Sequence, residues 1–122
     1  MTLRFGLTEK TIAEINDVLA QHPEVDQAIL YGSRAKGNYR RGSDIDLTLV
    51  GESDLTLNVL FRIMDEIDDL LHPYMVDLSI FRHISDPDVI DHIQRVGALF
   101  YQKADPAIQT TQAHAEPDPV TI

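Results

Sequence analysis

The stretch Tyr31–Leu47, YGSRAKGNYRRGSDIDL, decides how the rest of this 122-residue chain is interpreted. It opens with Gly32-Ser33 and closes with an Asp-Ile-Asp triplet that begins at Asp44 and ends at Asp46, and ten residues separate Ser33 from Asp44. Apolar residues precede the stretch and follow it. This pattern predicts a strand, a polar turn that handles phosphate, and a second strand.

The second half of the stretch points two carboxylates in one direction. If residues 44–50 are extended, the two-residue period of a strand puts Asp44 and Asp46 on one face and the apolar residues on the other. Two unit charges about 4 Å apart repel by roughly 4 kcal/mol at an effective dielectric constant of about 20. A divalent cation reverses the sign of that interaction, and Mg²⁺ prefers such hard oxygen ligands. This half therefore predicts a metal site.

The first half of the stretch has the features of a phosphate-binding turn. Gly32 lets the backbone approach a phosphate closely, because it has no side chain. Ser33 can donate both a hydroxyl and a backbone N–H, and a short helix beginning near Ser33 would favour an anion. The loop also carries basic side chains in a chain that is otherwise short of them, namely Arg34, Lys36, Arg40 and Arg41.

A third carboxylate follows the same strand logic. The segment Met75–Phe81 is predicted to be a strand in which Val76, Leu78 and Ile80 are buried, so Asp77 points to the opposite face. A carboxylate within an apolar strand is costly unless it is paired, hydrogen-bonded or hydrated. Taken alone, a solvent-facing position explains Asp77. Beside the first motif, we expect it to be the third carboxylate of the site.

The remaining patterns predict an α/β fold, in which a small mixed sheet has helices packed on one face and exposes the three Asp residues on the other. The predicted elements are helices over Thr8–Gln21, Leu55–Leu71 and Ser85–Gly97, strands over Val25–Tyr31, Asp44–Val50 and Met75–Phe81, and a short strand or last helical turn over Ala98–Tyr101. His22 is expected to be a surface residue at a helix end. Residues 1–103 are expected to form the domain, and 104–122 a flexible tail.

Composition limits the function. The formal net charge is −10, from 10 Lys plus Arg and 20 Asp plus Glu. Such an acidic chain is a poor polynucleotide binder, so we expect a mononucleotide substrate and no direct contact with nucleic acid. There is no cysteine, which excludes disulfides and thiolate chemistry. No signal peptide or membrane-length apolar run is present, so we expect no membrane contact and a cytoplasmic location.

Gly-Ser, ten residues and Asp-x-Asp together resemble the nucleotidyltransferase signature of the DNA polymerase β superfamily. The closer spelling, GSRAKG followed by SDIDL, resembles its minimal nucleotidyltransferases. Proteins of that kind are commonly paired with HEPN-domain proteins as MntA-type antitoxins of toxin–antitoxin systems. The resemblance extends over roughly residues 25–103 and fixes three residue types at a set spacing.

This resemblance implies the roles of particular residues. Asp44 and Asp46 would bridge two Mg²⁺ ions, and Asp77 would complete the ion nearer the nucleophile. Gly32 and Ser33 would bind the β- and γ-phosphates. Arg34 would steady the pyrophosphate that leaves, with Lys36 and Arg41 as further candidates for that contact. The resemblance further implies that ATP is the donor, that a tyrosine of a HEPN ribonuclease toxin is the acceptor, and that the chain forms a hetero-oligomer with that toxin.

Two alternatives remain open from the sequence. The same motif serves small-molecule nucleotidyltransferases, such as those that inactivate aminoglycosides. The chain could also be a non-catalytic antitoxin that blocks a toxin by binding alone. The presence of all three carboxylates together with Gly32 and Ser33 favours an enzyme.

Overall fold

The computed structural model describes residues 3–70 and 73–104. Its elements are, in chain order, β1 (Leu3–Arg4), β2 (Leu7–Thr8), α1 (Glu9–Ala20), β3 (Gln27–Tyr31), α2 (Ser33–Lys36), β4 (Ile45–Val50), α3 (Leu57–Asp68), β5 (Val76–Ile80), a 3₁₀ turn (Phe81–His83), α4 (Pro87–Val96) and β6 (Ala98–Gln102). The predicted tail lies outside the described residues from residue 105 onwards, as does Leu71. No helix in the described ranges is both long and apolar enough to cross a membrane.

The main sheet has four strands in the order β5-β4-β3-β6. Strand β3 is antiparallel to both β4 and β6, whereas β4 and β5 are parallel. The predicted mixed sheet is therefore confirmed, and the segment that begins at Ala98 is a strand, not a last helical turn. A separate two-stranded hairpin, β1 with β2, precedes α1.

The core lies between one face of the sheet and the two long helices. Alternate residues of the central strands point into it, among them Leu30 of β3 and Leu47 of β4, both fully buried. Helices α1 and α3 contribute Ile15 and Ile63, which are also fully buried. Burying each such side chain away from water stabilises the fold by about 1.5–3 kcal/mol. This burial fixes the strands so that their polar alternates face the other way.

Side-chain caps set where α1, α3 and α4 begin. The Thr8 hydroxyl accepts a hydrogen bond from the backbone N–H of Thr11 (3.2 Å), as predicted for a cap of α1. Thr56 caps α3 in the same way, so this helix begins two residues later than its apolar pattern predicts. Asp86 caps α4, with Pro87 in the first turn as predicted.

Helix α4 packs on the opposite face of the sheet from α1 and α3. Its buried residue Ile93 lies outside the main core cluster. A Cβ added to Gly97, at its end, would come within 2.8 Å of Cγ2 of Ile29, whose side chain alternates with the core-facing residues of β3. The predicted packing of helices on one face thus holds for the two long helices. The fourth helix partly covers the face that carries the carboxylates.

The structure corrects the interpretation of His22 as a surface residue. His22 is only 7% exposed, and its Nε2 lies 2.8 Å from Oε1 of Glu66 on α3. The prediction was wrong because α3 crosses the end of α1 at this point, and that crossing is a non-local contact. Glu66, one of the acidic residues of α3, is therefore engaged within the fold.

Candidate active site

Three polar side chains form a row across the sheet on the face opposite α1 and α3. Asp46 is the register partner of Asp77 in the parallel pair β4–β5, and of Tyr31 in the antiparallel pair β3–β4. Neighbouring strands lie about 4.8 Å apart, so the two carboxylates are adjacent. Asp44 is exposed and immediately precedes β4. The structure therefore places Asp46 and Asp77 side by side on this face, with Asp44 at the start of β4.

The carboxylates act on one another electrostatically. The pKa of Asp46 is raised above its usual value, first because the group is partly buried, and then because Asp77 and Asp44 are negatively charged. A protonated His92 would act in the opposite direction. A divalent cation placed among these oxygens would relieve that repulsion. The donor set consists of carboxylate oxygens and suits a hard cation. Among residues 3–70 and 73–104, no three acidic, His or Cys side chains lie close enough together to form a complete metal site.

A second row of hydroxyl groups supports the first. Ser79 donates a hydrogen bond to the buried Thr48 hydroxyl at 2.9 Å. These two residues are register partners, two residues further along their strands than Asp46 and Asp77. Burial raises the pKa of Tyr31, and the charges of Asp46 and Asp77 raise it further, so its phenol stays protonated. This hydroxyl pair joins β4 to β5 on the face of the sheet that carries Asp46 and Asp77.

The glycine turn lies directly against this row. Gly32 has φ +77°, in the region that favours glycine, and an added Cβ would collide with Oδ2 of Asp46. Helix α2 begins at the next residue, Ser33, and its first hydrogen bond runs from Lys36 N–H to Gly32 C=O at 3.0 Å. The short helix predicted near Ser33 is thus present. The two halves of the motif meet at the contact between Gly32 and Asp46.

His92 is a site residue that the sequence analysis missed. Its Nε2 accepts a hydrogen bond from the Gly32 N–H at 3.2 Å, across a separation of 60 residues in the sequence. Its ring meets that of Tyr31 edge to face, with 6.2 Å between the centroids. No motif spacing connects α4 to the glycine turn, so only the packing of α4 on this face reveals the contact.

Arg34 points away from the carboxylates, although the sequence predicted that it binds the nucleotide. It is 3% exposed. Its Nε and Nη2 donate to the carbonyl of Ser43 at 3.1 and 2.8 Å, and its Nη1 donates to the carbonyl of Phe5 at 2.8 Å. The guanidinium also lies 5.3 Å from the ring centroid of Tyr39 and 4.9 Å from that of Tyr74. This side chain ties the motif loop to the N-terminal hairpin.

A cavity of about 300 Å³ adjoins Arg34. It is lined by Leu3, Gly6, Arg34, Tyr39, Arg40, Arg41, Gly42 and Tyr74, so two tyrosines and three of the predicted loop cations surround it. The cavity does not include any of the three carboxylates. Three of the four loop cations therefore line a cavity that none of the three carboxylates lines.

Solved structures of several proteins share this fold. A toxin–antitoxin complex with AMP-PNP matches at 20% identity with a TM-score of 0.61, covering 90% of this chain and 89% of that chain. The Shewanella oneidensis complex of a tri-AMPylated HEPN toxin with an MNT antitoxin matches at 19% and 0.59, covering 88% and 90%. A protein described as a minimal nucleotidyltransferase matches at 26% and 0.58, covering 74% of this chain and 92% of that one.

The sequence itself identifies the family. Among curated proteins, none matches the chain significantly. The family described as polymerase beta, nucleotidyltransferase, matches residues 13–106, which include the glycine turn and all three carboxylates. The resemblance inferred from the Gly-Ser and Asp-x-Asp motif is confirmed. The chain belongs to the polymerase β nucleotidyltransferase family.

Proposed function

We propose that this chain transfers AMP from ATP to a tyrosine hydroxyl of a HEPN toxin and thereby neutralises that toxin. The observation that carries the proposal is the close approach of the Gly32–Ser33 turn to Asp46. Asp77 lies next to Asp46 in the sheet, and Asp44 is two residues before Asp46 in the chain. This arrangement supplies an anion-binding turn and a cation-binding row within one site. The similarity in fold to an antitoxin bound to a tri-AMPylated toxin supports the choice of acceptor.

Members of this family generally use a divalent metal, and the carboxylate row fits one. Asp44, Asp46 and Asp77 would hold two Mg²⁺ ions, with Asp77 on the side where the acceptor enters. When bound, the metal supplies charge neutralisation for the attacking and leaving oxygens. The raised pKa of Asp46 supports this assignment, because after burial its causes are the negative charges of Asp77 and Asp44.

The reaction is a displacement at the α-phosphorus of ATP. The acceptor oxygen forms a new P–O bond, the bond between the α-phosphorus and the bridging oxygen breaks, and pyrophosphate leaves with that oxygen. The acceptor proton passes to Asp77, whose carboxylate is exposed on the open side of the row. Displacements of this kind depend on alignment and charge stabilisation more than on covalent participation by the protein.

The glycine turn holds the leaving end of the nucleotide. Ser33 offers its hydroxyl and backbone N–H to the β- and γ-phosphates, and the lack of a side chain at Gly32 lets the phosphates approach. We assign Arg34 to holding the loop in shape, in place of the direct phosphate contact predicted from sequence, because its guanidinium is engaged with two backbone carbonyls. Lys36 and Arg41 remain as candidates for the pyrophosphate contact.

We propose that the partner brings the acceptor, and that the two proteins form a hetero-oligomer. The carboxylate row is open to solvent on the Asp77 side, so a tyrosine on a second chain can reach it. The similarity to toxin–antitoxin complexes supports this arrangement. ATP as the donor implies that the chain acts in the cytoplasm.

The test is transfer of label from α-labelled ATP, in the presence of Mg²⁺, to the protein encoded beside this chain. Wild type should label the partner, and Asp46→Asn should lower the rate by at least about 100-fold, as expected when a group that stabilises the transition state is removed. Asp54→Asn is the matched control, because Asp54 is an exposed aspartate in a turn after β4. Omission of Mg²⁺ should abolish labelling.

The alternative functions give different results in the same assay. If wild type leaves the partner unlabelled but Asp46→Asn still binds and silences it, the chain acts as an antitoxin by binding alone. If wild type consumes ATP only with an added small-molecule acceptor, it is a small-molecule nucleotidyltransferase. Either result would contradict the proposal.

A further inference from the structure

Helix α4 is fixed firmly on the carboxylate face. Its start is set by Asp86 and Pro87, and its buried anchor is Ile93. At its end, Gly97 lies so close to Ile93 and Ile29 that a Cβ there would collide with the carbonyl of Ile93 and come within 2.8 Å of Cγ2 of Ile29. The residue before the anchor, His92, is therefore held at a defined place over the glycine turn.

His92 contacts the turn through one specific atom. Its Nε2 accepts a hydrogen bond from the N–H of Gly32, so the proton of the neutral ring is on Nδ1. The edge-to-face contact with Tyr31 sets the plane of the ring. Gly32 and Tyr31 thus orient His92. The hydrogen bond joins His92 to the backbone of the Gly32–Ser33 turn.

A glycine turn needs such a contact because its backbone is free to move. Gly32 has φ +77° and ψ −157°, a conformation that few other residues adopt but that is only one of many open to glycine. Without a restraint, a nucleotide would have to order this turn as it binds. A hydrogen bond from another element limits the peptide to one orientation beforehand, and such preorganisation strengthens binding.

We propose that His92 is a positioning residue for the nucleotide, which acts through the Gly32 N–H to hold the Gly32–Ser33 turn ready for the triphosphate. The proposal rests on the nucleotidyl transfer proposed above. It differs from a packing role, because Ile93 anchors α4 while His92 joins α4 to the turn. Removing the acceptor atom should therefore weaken nucleotide binding and leave the fold and the chemical step intact.

Three variants separate these roles. His92→Phe keeps an aromatic ring beside Tyr31 but has no acceptor. His92→Gln restores an acceptor oxygen near the position of Nε2. His83→Phe is the matched control, because His83 is exposed in the 3₁₀ turn after β5. For each variant, KM and kcat for ATP in the transfer assay are measured with Kd for a non-hydrolysable ATP analogue in the presence of Mg²⁺.

We expect His92→Phe to raise both KM and Kd about tenfold, the effect of roughly one hydrogen bond, with kcat within twofold of wild type. His92→Gln should recover most of that loss, and His83→Phe should match wild type. Unchanged binding by His92→Phe would overturn the proposal, as would equal damage from Phe and Gln. A fall in kcat with KM unchanged would also overturn it.

The Gly32 amide provides a readout that does not depend on function. In the nucleotide-free protein, exchange of this amide hydrogen with solvent should be faster in His92→Phe than in wild type, and should be restored in His92→Gln. If wild type neither binds nucleotide nor transfers AMP, the proposed function fails. Amide exchange then still decides whether His92 holds the turn, and an unchanged rate in His92→Phe would overturn that as well.

Discussion

At the scale of single residues, Asp46 is where the two halves of the motif meet. Its carboxylate is next to Asp77 in the sheet and against the backbone of Gly32. The two-residue period of a strand was sufficient to predict which way Asp46 and Asp77 point. Contacts between distant residues were not predictable in this way, and they decided the positions of His92 and Arg34.

The raised pKa of Asp46 makes the stability of the metal-free protein depend on pH. The folded state binds the Asp46 proton more readily than the unfolded state does, so stability falls as pH rises from the unfolded pKa, about 3.9, through the raised folded value. Asp46→Asn removes this loss. We expect the variant to have a higher Tm than wild type at pH 7 without metal, and the difference to shrink below about pH 4.

Thermal unfolding in EDTA at several pH values measures this effect. Asp54→Asn serves as the control, because Asp54 is exposed in the turn after β4 and should show no comparable trend. A Tm for Asp46→Asn equal to or below that of wild type at pH 7 would contradict the electrostatic account.

The contacts of Arg34 predict that its main effect is on stability. Lysine keeps the charge but cannot donate to the carbonyls of Phe5 and Ser43 at once. We expect Arg34→Lys to lower the free energy of unfolding by about 2–3 kcal/mol, measured by urea denaturation, because buried carbonyls lose their donors. Arg40→Lys is the control, since Arg40 is exposed in the same loop. A normal stability with a raised KM for ATP would instead indicate direct phosphate binding.

At the scale of elements, local patterns located the helices and the central strands well. Caps, proline and glycine signals lie within a few residues of the boundaries they set, so the sequence carries them directly. The β1–β2 hairpin was not predicted, because each strand has two residues and its turn places Phe5 at φ +57° before Gly6 at φ +75°. The packing of α4 on the carboxylate face was not predictable either, since it depends on contacts with β3.

The junction of α1 and α3 gives a prediction at this scale. His22 at the end of α1 is buried and hydrogen-bonded to Glu66 of α3. His22→Ala should lower the free energy of unfolding by about 1–2 kcal/mol, because it removes both the packing of the ring and that bond. His83→Ala, at an exposed position, should change it by less than about 0.5 kcal/mol. Equal effects in urea denaturation would show that the junction contributes nothing specific.

At the scale of the whole molecule, the distribution of charge favours a mononucleotide over a polynucleotide as the substrate. The net charge is −10, yet four of the ten basic residues lie between residues 34 and 41. Local positive charge of this extent suits one nucleotide, whereas a polynucleotide would cross acidic surface on either side. The sequence was sufficient for this inference, because it depends on composition and not on packing.

We therefore expect the chain to bind ATP with Mg²⁺ but not nucleic acid. Fluorescence anisotropy with labelled single-stranded RNA at about 150 mM salt should show no binding at protein concentrations that saturate with nucleotide. A basic RNA-binding protein at the same concentration serves as the positive control. Tight, salt-dependent RNA binding would contradict the charge argument.

The position of β5 determines how the carboxylate site can be approached from solvent. Within the part of the chain that the structure describes, β5 is an outer strand, so Asp77 borders solvent and not a further strand. Among the described residues, no strand lies beyond Asp77, on the side where the proposed acceptor would enter. A hydroxyl entering from different heights or angles meets the same carboxylates. Under the function proposed above, selectivity then comes from how the partner docks, and one unaltered centre can serve several neighbouring hydroxyls in turn.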